Sequence, residues 1–484
     1  MSKVIAATPN VRAHSFAVLY DERSGDLKRL LKVCAFILAH VPLAFLAHTS
    51  SSVATFHAFA TVTIGLWFVV FTQRGAERAA YVVAYIAGAE VFWRMTNASI
   101  FWEFGKYSIA LILLTAVLRW GLFKGAFLPL LYLLLLLPST VLTISAQDWE
   151  TARKDLSFNL SGPLALAMSA WFFSQIRFSI RQLKRLLIAL IAPLSGVAFL
   201  TIFFAVTTEI SFGGNSNKSV TGGFGPNQVS AALGLGVLAA LLCILIGKSD
   251  LKYKALMFAM ALLFAMQSAL TFSRGGLYNA AAGSVLALIC LSRDARSRTK
   301  VIVLAITIFC VANFALLPYL NHFTRGALVN RFQSTNTTGR GQIAEDDLNI
   351  WAQNPVLGVG PGQAAHMRIE AEEGLAAHTE LTRLVAEHGA LGFIALLVIF
   401  VVIAQRWLTA QSIIGKAVIA AAAGWSLIFM LNAAMRLAAP SVMFGLCLLT
   451  IRSTLTLRLR SHNMPRRYPN SALVQKRQLA AKQL

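Results

Sequence analysis

The side chains best equipped for chemistry in this sequence lie in its second half. The sharpest is Arg274, in Thr271-Phe272-Ser273-Arg274-Gly275-Gly276 between two apolar segments. An arginine at the mouth of a helical hairpin, followed by two glycines, can aim its planar fork at a phosphate while the glycines admit close backbone approach. The same residues also suit an interfacial arginine that snorkels to lipid headgroups at a glycine turn, and spacing alone favours that plainer reading. Lys218 is the only cation in residues 207–227, TTEISFGGNSNKSVTGGFGPN. An isolated lysine there reads first as a solvated loop residue.

Histidines supply the candidate bases. Of nine in the chain, His322, His366, His378 and His388 fall between residues 319 and 388. A neutral imidazole accepts a proton near physiological pH, although a lone histidine such as His378 is more often structural or solvated. Glu345-Asp346-Asp347 in the same segment invites a metal site. The segment has no HxxxH pair and no compact carboxylate–histidine cluster, so no metal is expected. Leu357-Gly358-Val359-Gly360-Pro361-Gly362 is dense in glycine but lacks the GK[ST] and strand context of a nucleotide-phosphate loop. The five cysteines lie inside apolar segments and read as small core residues, not as disulfides or metal ligands.

The elements that must position these residues are membrane helices. Of 484 residues, 57% are apolar and 13% charged, a balance that no soluble chain of this length can bury. Apolar segments predict about fourteen spans, some of them short, including 79–97, 104–118 and 438–451. The interruptions at 49–52 and 435–437 suit re-entrant pairs. Loops alternate in charge: Arg74 and Arg78, Arg119 and Lys124, or Arg293 to Lys300 on one side, and most acidic residues on the other. This repeated positive-inside bias predicts an inner-membrane protein with both termini cytoplasmic. The formal charge of +23 is then mostly topological, with attraction to anionic membrane lipids, and nucleic-acid binding is not expected.

The expected organisation is a polytopic all-α bundle of about 12–14 spans. Residues 1–29 form a cytoplasmic N-terminal segment that carries no cleavable signal peptide. Residues 30–318 make the first part of the membrane domain, 319–388 a large periplasmic loop, 389–451 the last spans, and 452–484 a basic cytoplasmic tail. Seventy loop residues exceed ordinary connections and imply function. Within them an amphipathic helix is predicted near 341–353, with Ile343, Leu348, Ile350 and Trp351 as apolar anchors and Asn354-Pro355 as its stop. A second begins near His378 and runs through Glu387-His388-Gly389 into the next span. Its Leu381, Leu384 and Val385 face would rest on the membrane domain and seat His378 near the bilayer surface. Outside the inner membrane there is no nucleotide pool, so an enzyme acting there needs an already activated substrate, typically a lipid-linked phosphate ester. A transporter would instead need polar residues at the midplane. The candidates, Glu90 and Arg94, are spaced i, i+4 and more simply make one ion pair near the outer end of the third span.

Several of these pieces, in order, resemble the O-antigen ligase and O-antigen polymerase superfamily. They are GGFGPNQ at 222–228, SRGG at 273–276, Gly339-Arg340 before a Trp-bearing helix, NPVLGVGPG at 354–362 and HTELTRLVAEHGALGF at 378–393. The resemblance covers roughly residues 200–400. It implies an inverting, metal-independent glycosyltransferase without cofactor. Such an enzyme moves a glycan from undecaprenyl pyrophosphate to a lipid A–core sugar if a ligase, the favoured reading, or to another lipid-linked repeat unit if a polymerase. His378 occupies the place of the family's catalytic histidine and Arg274 that of the arginine before its paired glycines. Lys218 stands where ligases usually carry an arginine and would supply charge without the bidentate fork. The pyrophosphate would then meet Arg274, Lys218 and Arg340. Asn227 and Glu387 are possible supporting residues, although Glu387 suits an ordinary helix-surface carboxylate equally well.

Overall fold

A computed structural model describes residues 27–209, 216–333, 339–368 and 378–452. The basic tail, nearly all of the N-terminal segment, and residues 210–215 of the glycine-rich loop lie outside the described residues, as do Glu370, Glu372 and Glu373. The chain is helical because an apolar backbone in hydrocarbon must satisfy its own N–H and C=O groups. The first helices are α1 (Leu27–Thr49), α2 (Ser51–Phe71), α3 (Gly75–Met95), α4 (Phe104–Trp120) and α5 (Phe127–Ala146). Then come α6 (Trp149–Gln175), α7 (Ile180–Thr207), α8 (Pro226–Leu245), α9 (Leu251–Leu270) and α10 (Arg274–Ser292). After α11 (Ser297–Phe323), the shorter α12 (Ala327–Gln333) and α13 (Arg340–Gln353) lead to α14 (Glu380–Thr409), α15 (Ile413–Ala433) and α16 (Ala439–Leu448).

Among the described residues, eleven helices are long and apolar enough to cross a membrane, and the chain is a multi-pass membrane protein. The remaining three expected spans are helices too, but fall short for physical reasons. Helix α3 is diluted by Glu77, Arg78, Glu90 and Arg94, α4 has 17 residues, and α16 only 10. Large apolar side chains such as Phe56, Phe71, Val206 and Phe314 cover the outside of the bundle, as contact with lipid requires.

Inside, α10 packs on α15, α8 on α9 and α10, α3 on α7, and α6 on α16. The α8–α10 crossing explains the second glycine of SRGG. A Cβ on Gly276 would sit 1.9 Å from the carbonyl oxygen of Ser230, so glycine is needed for helix packing there. The expectation that this glycine opens the backbone to a phosphate is replaced by that contact.

Helix α13 forms over the predicted residues. Ile343 and Ile350 are buried and Trp351 stacks on Phe393 with 6.3 Å between ring centres, whereas Leu348 is exposed and anchors nothing. Leu384 and Val385 are buried against Tyr132, Leu166 and Met430, so the first turns of α14 do rest on the membrane helices.

Candidate active site

The site grows around a break. Helices α15 and α16 are separated by residues 434–438, where Ala434 takes a left-handed φ of 48°. A gap between packed helices frees backbone donors that must find partners. Ala434 N–H donates to the carbonyl of His378 at 3.1 Å and Met435 N–H to Glu380 Oε2 at 3.2 Å. Ala438 N–H donates to Glu90 Oε2 at 2.6 Å, and Arg94 Nη1 reaches the Arg436 carbonyl at 3.3 Å. The Glu90–Arg94 ion pair, 2.7 Å, is therefore the expected i, i+4 pair, and it also fastens the peptide that carries Arg436. Arg94 is itself fixed by Gln228 Oε1 at 2.8 Å and by the Trp102 ring, 4.1 Å below its guanidinium.

His378 stands just before α14, whose Thr379 side chain caps the helix by accepting from Thr382 N–H at 3.1 Å. One and two turns on, Arg383 lies buried between Glu380 and Glu387. Glu387 is 3% exposed and also accepts from Gly362 N–H at 3.0 Å, which rules out the helix-surface reading. The glycine-dense loop lies on the kink of α14 at Gly389: Val359 and Gly360 N–H donate to the carbonyls of Ala386 and Glu387 at 3.0 and 2.9 Å. Gly358 is required by that contact, since a Cβ on it would meet the Glu387 carbonyl carbon at 2.4 Å. NPVLGVGPG and AEHGALG thus form one joint that sets the direction of the His378 end of α14. His388 is buried in the same joint, with Nδ1 2.5 Å from Ser139 Oγ, and is a structural histidine.

Arg274 opens α10, half-buried. Its turn is held from two sides, by Ser230 Oγ donating to the Ser273 carbonyl at 2.9 Å and Arg331 Nε donating to the Phe272 carbonyl at 3.3 Å. Arg331 is only 7% exposed. The guanidiniums of Arg331 and Arg340 are both shifted down in pKa, first by burial and then by the charge of Arg274, so the three are electrostatic neighbours. Arg340 Nε is buried with no hydrogen-bond partner among the described residues. A buried, unsatisfied cationic donor beside like charges is what an anion would relieve.

His378 joins the same field. Its pKa is pushed down to about 4 by burial, and then by Arg436, Arg340 and Arg368. Arg436 is lowered to about 10 by burial and by Arg340, Arg368 and Arg383. Arg368 is matched by Asp347 at 2.8 Å, which makes Asp347 a salt-bridge partner, and among the described residues no group of three metal-ligating side chains forms. Charge links His378 to Arg340, Arg368 and Arg436, and Arg340 in turn to Arg274 and Arg331, so Arg340 connects the expected residues Arg274 and His378. Lys218 differs: Asn217 N–H donates to the Thr271 carbonyl at 2.9 Å, so the loop's backbone docks beside the Arg274 turn, but the lysine side chain is exposed. Asn227 lies in the first turn of α8 with Oδ1 buried and unpartnered among the described residues, while Glu387 acts on the α14 joint. For Arg436 the one available sequence signal was a charge in the apolar interruption at 435–437. Arg331 and Arg368 had none.

A neutral imidazole among several guanidiniums can take a proton while the cations hold a highly charged leaving group. Residues 259–397 match the family model described as O-antigen ligase, a stretch that contains Arg274, Arg331, Arg340, Arg368, His378 and Glu387 but neither Lys218 nor Arg436. No curated protein matches the chain.

Proposed function

We propose, on the match of residues 259–397 to the O-antigen ligase family model, that the chain has a glycan-transfer role in O-antigen assembly and is an O-antigen ligase. The donor is a glycan on undecaprenyl pyrophosphate, the acceptor a hydroxyl of a lipid A–core sugar, and the reaction runs on the periplasmic face of the inner membrane. The observation that carries the reading is the placement of neutral His378 against Arg340, Arg368 and Arg436, with Arg340 continuing to Arg274 and Arg331.

In this mechanism the acceptor hydroxyl attacks the donor's anomeric carbon. Its proton passes to the imidazole of His378 as the new C–O bond forms. The bond from the anomeric carbon to the pyrophosphate oxygen breaks, and undecaprenyl pyrophosphate leaves with the electron pair and inverts the centre. The alcohol's pKa lies far above that of imidazole, so the base acts only as the nucleophile commits; such assistance contributes about 10² to 10⁴ in rate. Arg274, Arg331 and Arg340 stabilise the charge on the leaving oxygens, a role in which a bidentate guanidinium exceeds a lysine. The prenyl tail stays in lipid, which places the reacting phosphate at the membrane surface.

Deletion of the gene tests the reading against the polymerase alternative. A ligase defect leaves long lipid-linked glycan unattached to core. A polymerase defect leaves core capped by single repeat units, and that outcome would reassign the acceptor to a second lipid-linked unit.

A further inference from the structure

A cavity of about 230 Å³ is lined in part by Arg368 and Arg436, two of the guanidiniums whose charge acts on His378. Its other lining includes Lys106, Asp155, Phe158 and Asn159, from α4 and α6. Neither Arg274, Arg331 nor Arg340 reaches it. Lys106 is 1% exposed, and its one hydrogen bond among the described residues is a long one, 3.4 Å, to Ser161 Oγ. The remaining ammonium donors of Lys106 face a void, an expensive arrangement for a bulk-inaccessible cation. Asp155 adds a half-buried carboxylate that already accepts from Gln147 Nε2 at 2.8 Å, and Phe158 adds a ring face 5.7 Å from the lysine nitrogen.

We propose that this cavity is the acceptor subsite and holds the sugar ring whose hydroxyl attacks, an assignment that rests on the transferase reading above. The lining selects the ligand class. Donors and acceptors of both signs, an amide and one aromatic face match a ring of hydroxyl groups that each donate and accept. The pyrophosphate is assigned to Arg274, Arg331 and Arg340, none of which lines the cavity. The position selects the role. In an inverting displacement the nucleophile and the leaving group lie on opposite sides of the anomeric carbon. With pyrophosphate at Arg274, Arg331 and Arg340, the attacking ring belongs in a site those residues do not line but whose walls still act on the base, and the cavity bearing Arg368 and Arg436 is such a site. Lys106 and Asp155 bind and orient that ring and take no part in proton transfer.

The test uses the full chain in nanodiscs and two probes measured separately. One is the oligosaccharide released by mild acid from lipopolysaccharide that lacks O-antigen, and the other is undecaprenyl pyrophosphate. Lys106→Met should weaken oligosaccharide binding about tenfold, the loss of one charge-assisted contact, and leave undecaprenyl pyrophosphate binding unchanged. Asp155→Asn keeps the shape at a partly exposed position, so it should fold even if the lysine variant does not, and it should weaken the same probe. Arg274→Ala should give the opposite pattern. Unchanged oligosaccharide binding in Asp155→Asn and in folded Lys106→Met overturns the subsite, as does wild-type protein that binds no oligosaccharide. Loss of undecaprenyl pyrophosphate binding in these variants instead assigns the cavity to the donor and also overturns it. Wild-type protein that binds the oligosaccharide but not undecaprenyl pyrophosphate removes the transferase reading and leaves a saccharide site standing.

Discussion

His378 gives its backbone carbonyl to Ala434 N–H at 3.1 Å, so the proposed base and the α15–α16 break are one mechanical unit. The side chain of Arg436, two residues further along that break, reaches His378 electrostatically. His378→Ala keeps the backbone half of this link and removes the imidazole. Undecaprenyl pyrophosphate binding should survive while single-turnover transfer falls about 10²- to 10⁴-fold. Near-wild-type turnover would return His378 to a structural role.

Arg274 and Arg436 should fail in different ways. Arg274→Ala is expected to weaken both donor binding and transfer, by about 10²-fold in turnover for one lost leaving-group contact, and Arg274→Lys should recover only part. Arg436→Ala, at the wall of the acceptor cavity, should weaken oligosaccharide binding and lower transfer while undecaprenyl pyrophosphate binding survives. Glu90, Glu380 and His378 hold the break through backbone atoms or through neighbours of Arg436, so the truncated protein should melt close to wild type. A variant that binds and transfers normally would leave Arg436 as a lipid-facing charge.

The pH dependence has a defined sign. Burial and three cations hold His378 at about 4 in the free protein, so it is neutral and competent throughout the physiological range. The acid limb of kcat/KM, which reports the free enzyme, should therefore lie near pH 4, with activity lost as pH falls through it. Bound pyrophosphate offsets the cations and lets the imidazole hold a proton more readily. The acid limb of kcat should accordingly sit at higher pH. The reverse order would mean that the arginines near His378 do not meet the donor.

The fold was legible because its causes are local. Apolar length located the membrane helices, and Asn354-Pro355 marked the end of α13 at Gln353. His378, Arg274 and Arg340 were legible only as ordered motifs, since none has a distinctive spacing of its own. Arg331 and Arg368 were not legible at all, because what makes them part of the site is a fold that brings α12 and the segment after Gly362 against residues 271–274 and 378. Glu387 misled for a related reason: the i, i+4 spacing to Arg383 is that of a surface pair, and only the burial of that pair, with Gly362 N–H donating to Glu387 and Arg383 donating to Asn159, distinguishes it.

Glu380→Gln tests the buried network by itself. It leaves Arg383 with Glu387 as its one charged partner among the described residues and weakens the acceptor for Met435 N–H. The loss is that of charge-assisted hydrogen bonds, about 1.5–3 kcal/mol, so unfolding in detergent should shift to lower temperature. An unchanged melt would mean that water reaches Arg383.

Because guanidiniums are assigned the neutralisation of pyrophosphate, chelator-treated protein should keep its transfer activity; a requirement for added divalent ion would overturn that assignment. The proposed sidedness puts Ser216 and Gln363 outside the membrane. Cysteines placed there should react with an impermeant reagent in a background lacking the exposed Cys310.

The break between α15 and α16 also bears on how the protein is made. The carboxylate that receives Ala438 N–H belongs to Glu90, 348 residues earlier in the chain, and the guanidinium on the Arg436 carbonyl belongs to Arg94. Helix α3 is therefore synthesised long before the peptide that completes its polar contacts. A ribosome that stops short of residue 438 leaves that charged pair in an unfinished bundle, where intramembrane charge is costly. Translation to the last helix is what turns two early charges from a liability for the nascent chain into the clamp on Arg436.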